Sequence, residues 1–137
     1  MIDEIDLKII KELEGNSKLT FKEIGEKLYL SGQAVGMRVN KLIENEVIKN
    51  FTINVDNKKL GITSSSYIKI YMKDNNHKEF LELVNKYDEI KEAHKVISDA
   101  CYIIKVEVFD EEVLQKILDE ILTFANYQVS VLLSKIK

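Results

Sequence analysis

Apolar side chains recur at helical spacing in three short blocks near the start of the chain. Ile5, Ile9, Ile10 and Leu13 mark the first, Ile24 and Leu28 the second, and Val35, Val39, Leu42 and Ile43 the third. At about 100° per residue each set falls on one face, so three short amphipathic helices are predicted. The flanking residues agree. Asp3 precedes the first block and Gly15-Asn16 breaks it. Thr20 followed by Glu23 is a capping-box pattern, in which hydroxyl and carboxylate each satisfy a free backbone N–H. Ser31 is placed to cap the third block.

The period then changes. In "VIKNFTINV" apolar and polar residues alternate around Lys49-Asn50, which predicts two short strands joined by a tight turn. Three helices and a small hairpin make a winged helix-turn-helix, an arrangement whose third helix enters the major groove of DNA. This unit is assigned residues 1–50. The polar stretch "DNKKLGITSSS" follows, and residues 51–64 are read as a hinge strand and linker.

Beyond it, "SYIKIYM" puts Ile68, Ile70 and Met72 on one side of a strand, and Phe80, Leu83, Val84 and Tyr87 form a helical stripe that Asn76 and Glu79 would open as a second capping box. "IKEAHKVI" and "YIIKVEVF" read as strands joined by the short "SDA". Leu114, Ile117, Leu118, Ile121 and Leu122 define another helix with acidic residues in its first turn, and "YQVSVLLSKI" the last strand. The order β-α-β-β-α-β over residues 65–137 packs most economically as one antiparallel sheet with both helices on one face, a ferredoxin-like unit. The whole is an α+β chain. Its uncovered sheet face would carry Tyr67, Tyr71 and parts of "YIIKVEV", and apolar side chains there predict a dimer.

Composition narrows the function. The 137 residues, 45% of them hydrophobic, suffice for one core or two small ones. The longest apolar runs fall well short of the roughly 18–20 residues of a membrane helix. The opening "MIDEIDLKII" is too acidic for a signal peptide, so a cytoplasmic protein is expected. One cysteine and two histidines, far apart, offer no metal-ligand spacing, and neither a catalytic constellation nor a cofactor motif is evident. Net charge is −3, yet residues 1–60 hold ten basic and ten acidic side chains, so the acidity belongs to the second half. A neutral first half can still present a basic face to phosphate.

With its apolar stripe inward, the third helix turns Gln33, Met37, Asn40 and Lys41 outward, with Ala34 nearby. Gln pairs with adenine, Lys reaches bases or phosphate, and Ala and Met suit a thymine methyl. Ser31 and the helix's first amides face a phosphate, and Lys49 would lie on the wing. Arg38, the only arginine, sits on the helix shoulder. An ion pair with a carboxylate of the first helix such as Glu4 or Asp6, a phosphate contact and a base contact are all open to it.

"IDEIDLKIIKEL", the core "LSGQAVGMRVNKL", the wing "VIKNF" and Gly61 together resemble the Lrp/AsnC transcriptional regulators across nearly the whole chain. The resemblance implies a homo-oligomer, a dimer extending to tetramers or octamers, that binds double-stranded DNA, and two symmetry-related third helices would read a pseudo-palindromic operator. It also implies an amino acid as effector, bound at the hairpin of the C-terminal domain, here Ser98, Asp99, Ala100, Cys101 and Tyr102. Several positions depart from the family pattern, among them Ile97-Ser98 in the hairpin, where threonine-glycine is common. Gly32-Gln33 stand where proline is common, and Glu46 where glycine is common, with Asn45 expected to take the left-handed conformation. Cys101 replaces an aspartate that would accept a bond from an ammonium group. Two other readings stand beside this one. A co-regulator would act through mixed oligomers without binding DNA, whereas a decarboxylase on the same frame would want a pocket rich in histidine and arginine, and residues 61–137 contain no arginine.

Overall fold

The computed structural model describes residues 1–137. The chain forms two compact units, Met1–Val55 and Asp56–Lys137. The first holds α1 (Glu4–Gly15), α2 (Phe21–Leu28) and α3 (Gly32–Glu44). Thr20 and Glu23 form the expected capping box on α2, and Ser31 caps α3 by accepting from the Ala34 N–H at 3.1 Å. α1 also opens on a capping box, built by Asp3 and Asp6. Ile9, Leu13, Ile24, Val35 and Val39 form the core of this unit. Ile43 does not join it. At 42% exposure it lies outside the stripe that its spacing suggested, which Leu42 completes instead.

Two close approaches fix the helix-turn-helix. A Cβ on Gly25 would lie 2.4 Å from the Leu30 carbonyl oxygen, and one on Gly36 would lie 3.1 Å from the Phe21 ring. At Gly25 the turn's own backbone leaves no room for a Cβ, while at Gly36 the Phe21 ring would have to shift by a few tenths of an ångström.

The expected wing hairpin is absent. After α3 the chain turns, with the Val47 and Ile48 N–H groups both donating to the Leu42 carbonyl, and residues 49–56 run without a paired strand. Phe51, Ile53 and Val55 do alternate with Thr52 and Asn54, but all five are exposed. Alternation shows which residues share a face; a strand also needs a partner for its backbone, and this segment has none. The left-handed residue in the turn is Glu46, φ 55°, and not Asn45, which sits at φ −87°.

The second unit contains β1 (Ser64–Met72), α4 (Lys78–Lys86), β2 (Ile90–Lys95), β3 (Tyr102–Val108), α5 (Glu111–Leu122) and β4 (Ala125–Val131). The strands form one antiparallel sheet in the order β2-β3-β1-β4. Ile68, Ile70, Tyr102, Ile104 and Val106 pack with Phe80, Leu83, Leu114, Ile117 and Ile121 of the helices. Leu122, at 45% exposure, falls outside its predicted stripe. β4 begins two residues earlier than "YQVSV" suggested and stops at Val131. The second capping box does not form: His77 precedes α4 without a side-chain cap, and Asn76 Oδ1 accepts only from the Lys78 N–H.

On the open face of the sheet Tyr67 is exposed and Tyr71 and Ile103 are half-buried, but polar pairs stand among them. Lys105 Nζ lies 3.1 Å from Glu107, and Lys69 Nζ lies 3.6 Å from Asp99. The face is therefore more polar than alternation alone indicated. No helix is long and apolar enough to cross a membrane.

Candidate nucleic-acid interface

α3 is positioned by its one arginine. Asp3 and Asp6 each use one carboxylate oxygen for the α1 capping box: Asp3 Oδ1 accepts from the Asp6 N–H at 2.9 Å, and Asp6 Oδ2 from the Asp3 N–H at 3.0 Å. The other oxygen of each receives Arg38 Nη1, at 2.7 Å from Asp3 Oδ2 and 2.8 Å from Asp6 Oδ1. One nitrogen with two N–H bonds thus ties α3 to the start of α1. The Asp6 N–H first, and then Arg38, hold the Asp3 carboxyl below its ordinary range, and the two carboxylates in turn push the Arg38 guanidinium up. Of the roles open to Arg38, the geometry realises the ion pair. Its partners are Asp3 and Asp6, whereas Glu4 pairs with Lys8.

The outward row of α3 is thereby left to uncharged side chains and one lysine. Gln33, Met37, Asn40 and Lys41 are exposed, and Ala34 is half-buried beside them. Met37 is 69% exposed, a large apolar side chain that this unit does not use for packing. Ser31 holds the helix start and Lys49 lies exposed on the unpaired segment after α3. The exposed face thus combines polar donors, a methionine and a cation, as base edges and phosphates require.

The hairpin residues of the second unit do not gather at one point. Ser98 Oγ accepts from the Ala100 N–H at 3.1 Å, which holds the loop to itself. Asp99 turns to the open face of the sheet, where its carboxylate accepts from Tyr71 Oη at 3.1 Å. That bond, reinforced by Lys69, holds the Asp99 carboxyl below its usual range. Tyr102 lies on the helix side: its ring stacks on Phe80 at 3.8 Å, and its hydroxyl meets His77 Nδ1 at 2.6 Å. Ala100 is buried, and Cys101 packs half-buried against the core, as a small hydrophobe does. Two clefts, of about 250 and 750 Å³, lie in the first unit; neither touches this hairpin.

Sequence reading missed the exposed aromatic Tyr29, which occupies a left-handed conformation between α2 and α3. It also missed the Asp3–Asp6 box. The signal was present in two aspartates three residues apart at a helix start, where the second can fill the usual glutamate's place.

A helix-turn-helix whose third helix is braced from behind and open in front defines a DNA-binding protein of the helix-turn-helix class. Residues 2–49 match the family model described as winged helix-turn-helix DNA-binding, and residues 65–137 that of the Lrp/AsnC ligand binding domain. The chain belongs to the Lrp/AsnC family of transcriptional regulators. It is 39% identical over 136 residues to the HTH-type transcriptional regulator LrpB of Bacillus subtilis, covering 99% of this chain and 91% of that one. The solved structure of B. subtilis LrpC superposes with a TM-score of 0.91 at 30% identity, covering 100% of this chain and 98% of that one. A transcriptional regulator from Neisseria meningitidis, NMB0573, solved as its L-Met complex, shares the fold at TM-score 0.90 and 20% identity, covering 100% and 93%.

Proposed function

We propose that this regulator reads a pseudo-palindromic operator with α3 from each of two or more subunits, and that an amino acid modulates it through the second unit. The observation that carries the DNA reading is the division of labour on α3. The single arginine is committed to bracing the helix, while Gln33, Met37 and Lys41 project with no ion-pair partner. In this reading Gln33 and Met37 meet base edges, Lys41 and Lys49 meet phosphate, and the Ser31-capped start of α3 offers its amides to a phosphate. Arg38 contributes by fixing the angle at which the helix is presented.

The amino-acid reading is supported by the ligand-binding family model over residues 65–137 and by the L-Met complex of a protein of the same fold. Cys101 removes one carboxylate from the hairpin, but Asp99 supplies another two residues earlier. An ammonium group arriving there competes with Lys69, whose Nζ already stands 3.6 Å away. A ligand of that kind shifts assembly or DNA affinity only through a difference in affinity between two states.

The test is a binding-site selection from random duplex DNA with wild type, Gln33→Ala and Lys41→Ala. Gln33→Ala relaxes the selected sequence at one position. Lys41→Ala keeps the sequence but lowers the salt dependence of binding by about one phosphate's worth, a slope change near 0.9. An unchanged profile and slope in both variants would remove α3 as the reader.

A further inference from the structure

Tyr29 is the C-terminal cap of α2, at φ 59° and ψ 42°, two residues before the Ser31 cap of α3. The turn itself explains the backbone: a left-handed residue after the helix lets the Leu30 N–H donate to the Gly25 carbonyl at 2.8 Å. It does not explain the side chain. Bulky residues are strained in this conformation, which glycine and asparagine accept readily. The phenol is 96% exposed and appears in no side-chain hydrogen bond or aromatic contact of the chain. The turn accounts for the left-handed backbone, but nothing within the protein uses the aromatic side chain set on it, and such outliers gather at functional sites. Glu46, the other left-handed residue, differs in kind, since an exposed charged side chain in a turn is ordinary.

We infer that the Tyr29 hydroxyl donates a hydrogen bond to a phosphate of the DNA backbone next to the groove entered by α3. The turn lies immediately before the helix start, and tyrosine hydroxyls are among the groups that commonly contact phosphate. This rests on α3 being the reading helix. Because the phenol is neutral, its contact releases no counterion, which gives the proposal a signature distinct from that of a lysine.

The experiment uses the full chain and a labelled duplex that the protein itself enriches from a random pool, with a scrambled duplex of equal length. Kd is measured across a salt series for wild type, Tyr29→Phe, Tyr29→Gly and Lys41→Ala. Tyr29→Phe, which keeps ring and backbone but loses the hydroxyl, is expected to weaken both duplexes about tenfold, as loss of one bond to a charged group does. Its salt slope and preference between duplexes stay at the wild-type values. Tyr29→Gly loses the same affinity while its thermal midpoint stays at or above that of wild type, because the strain is relieved; this shows that the loss is not misfolding. Wild-type affinity in Tyr29→Phe would overturn the proposal, whatever Tyr29→Gly does. If Lys41→Ala also binds like wild type at every salt, the reading of α3 falls with it, whereas a normal Lys41→Ala effect would leave that reading standing.

Discussion

Replacing Gly25 with alanine tests whether the close approach of α2 and the turn before α3 sets the geometry of the reading helix. In an open helix the change would stabilise, since alanine is about 1 kcal/mol more favourable than glycine. Here the new Cβ would stand 2.4 Å from the Leu30 oxygen and 3.3 Å from the Gly32 nitrogen, both backbone atoms, so no side-chain rotation relieves it. Restoring an ordinary contact moves the turn by about 1 Å and stretches the Leu30 N–H to Gly25 carbonyl bond. Overpacking of this kind costs about 1–3 kcal/mol, and a weakened hydrogen bond about 0.5–1.5. After the helix gain is subtracted, Gly25→Ala is expected to destabilise by roughly 1–3 kcal/mol. Gly15 supplies the control, for nothing lies within 4 Å of its Cβ position and Gly15→Ala should stabilise by about 0.4–1 kcal/mol. Urea unfolding followed by far-ultraviolet circular dichroism reads both. DNA affinity of Gly25→Ala should fall even in the folded fraction, because the residues that are displaced lead into α3. Equal stabilisation by the two alanines would show that the Leu30 carbonyl does not confine position 25.

Other perturbations probe the brace, the core and the hairpin. Arg38→Met leaves Asp3 and Asp6 facing each other without their shared cation, so the first unit loses stability and α3 its anchor. DNA binding weakens in that variant while its salt slope falls by less than that of Lys41→Ala. Because the Asp3 carboxyl is depressed in the folded chain, its contribution is present above the ordinary aspartate value near 3.9 and disappears as pH falls through the lower folded value. Acid unfolding of the first unit should therefore steepen below about pH 4 in wild type and be shallower in Arg38→Met; identical acid profiles would exclude the brace. Ser66 is 1% exposed and its hydroxyl has no hydrogen-bond partner. Ser66→Ala should raise stability by about 1 kcal/mol, and a lowered urea midpoint would show that the hydroxyl is satisfied after all. Asp99→Asn should leave DNA affinity intact without amino acid and abolish its change when amino acid is added; a retained response would place the effector elsewhere.

Much of the fold was legible because it depends on local periodicity and caps. Val35, Val39 and Leu42 fix the inner face of α3, Thr20 and Ser31 its approach, and the β-α-β-β-α-β order follows from changes of period. What was lost depended on partners. Phe51, Ile53 and Val55 alternate like a strand, but their backbone has nothing to pair with in this chain. Asn76 and Glu79 have capping-box spacing, yet His77 precedes the helix and its ring is drawn to Tyr102. At the candidate site the outer residues of α3 could be read by angle alone. The role of Arg38 could not, because it is decided by two aspartates more than thirty residues away, brought to it by α1–α3 packing. Tyr29 stayed hidden since left-handed backbone at a non-glycine residue leaves little trace in sequence.

If α3 is the reader, sequence preference resides on its outer face. Fluorescence anisotropy with the DNA upstream of the protein's own gene, titrated against excess scrambled duplex at physiological salt of about 0.15 M, tests it most directly. A preference for the upstream duplex is expected to survive this salt and to disappear in the Gln33→Ala, Met37→Ala double variant. Equal affinity for both duplexes at low and physiological salt would contradict it and return the weight to a co-regulator that acts through its partners.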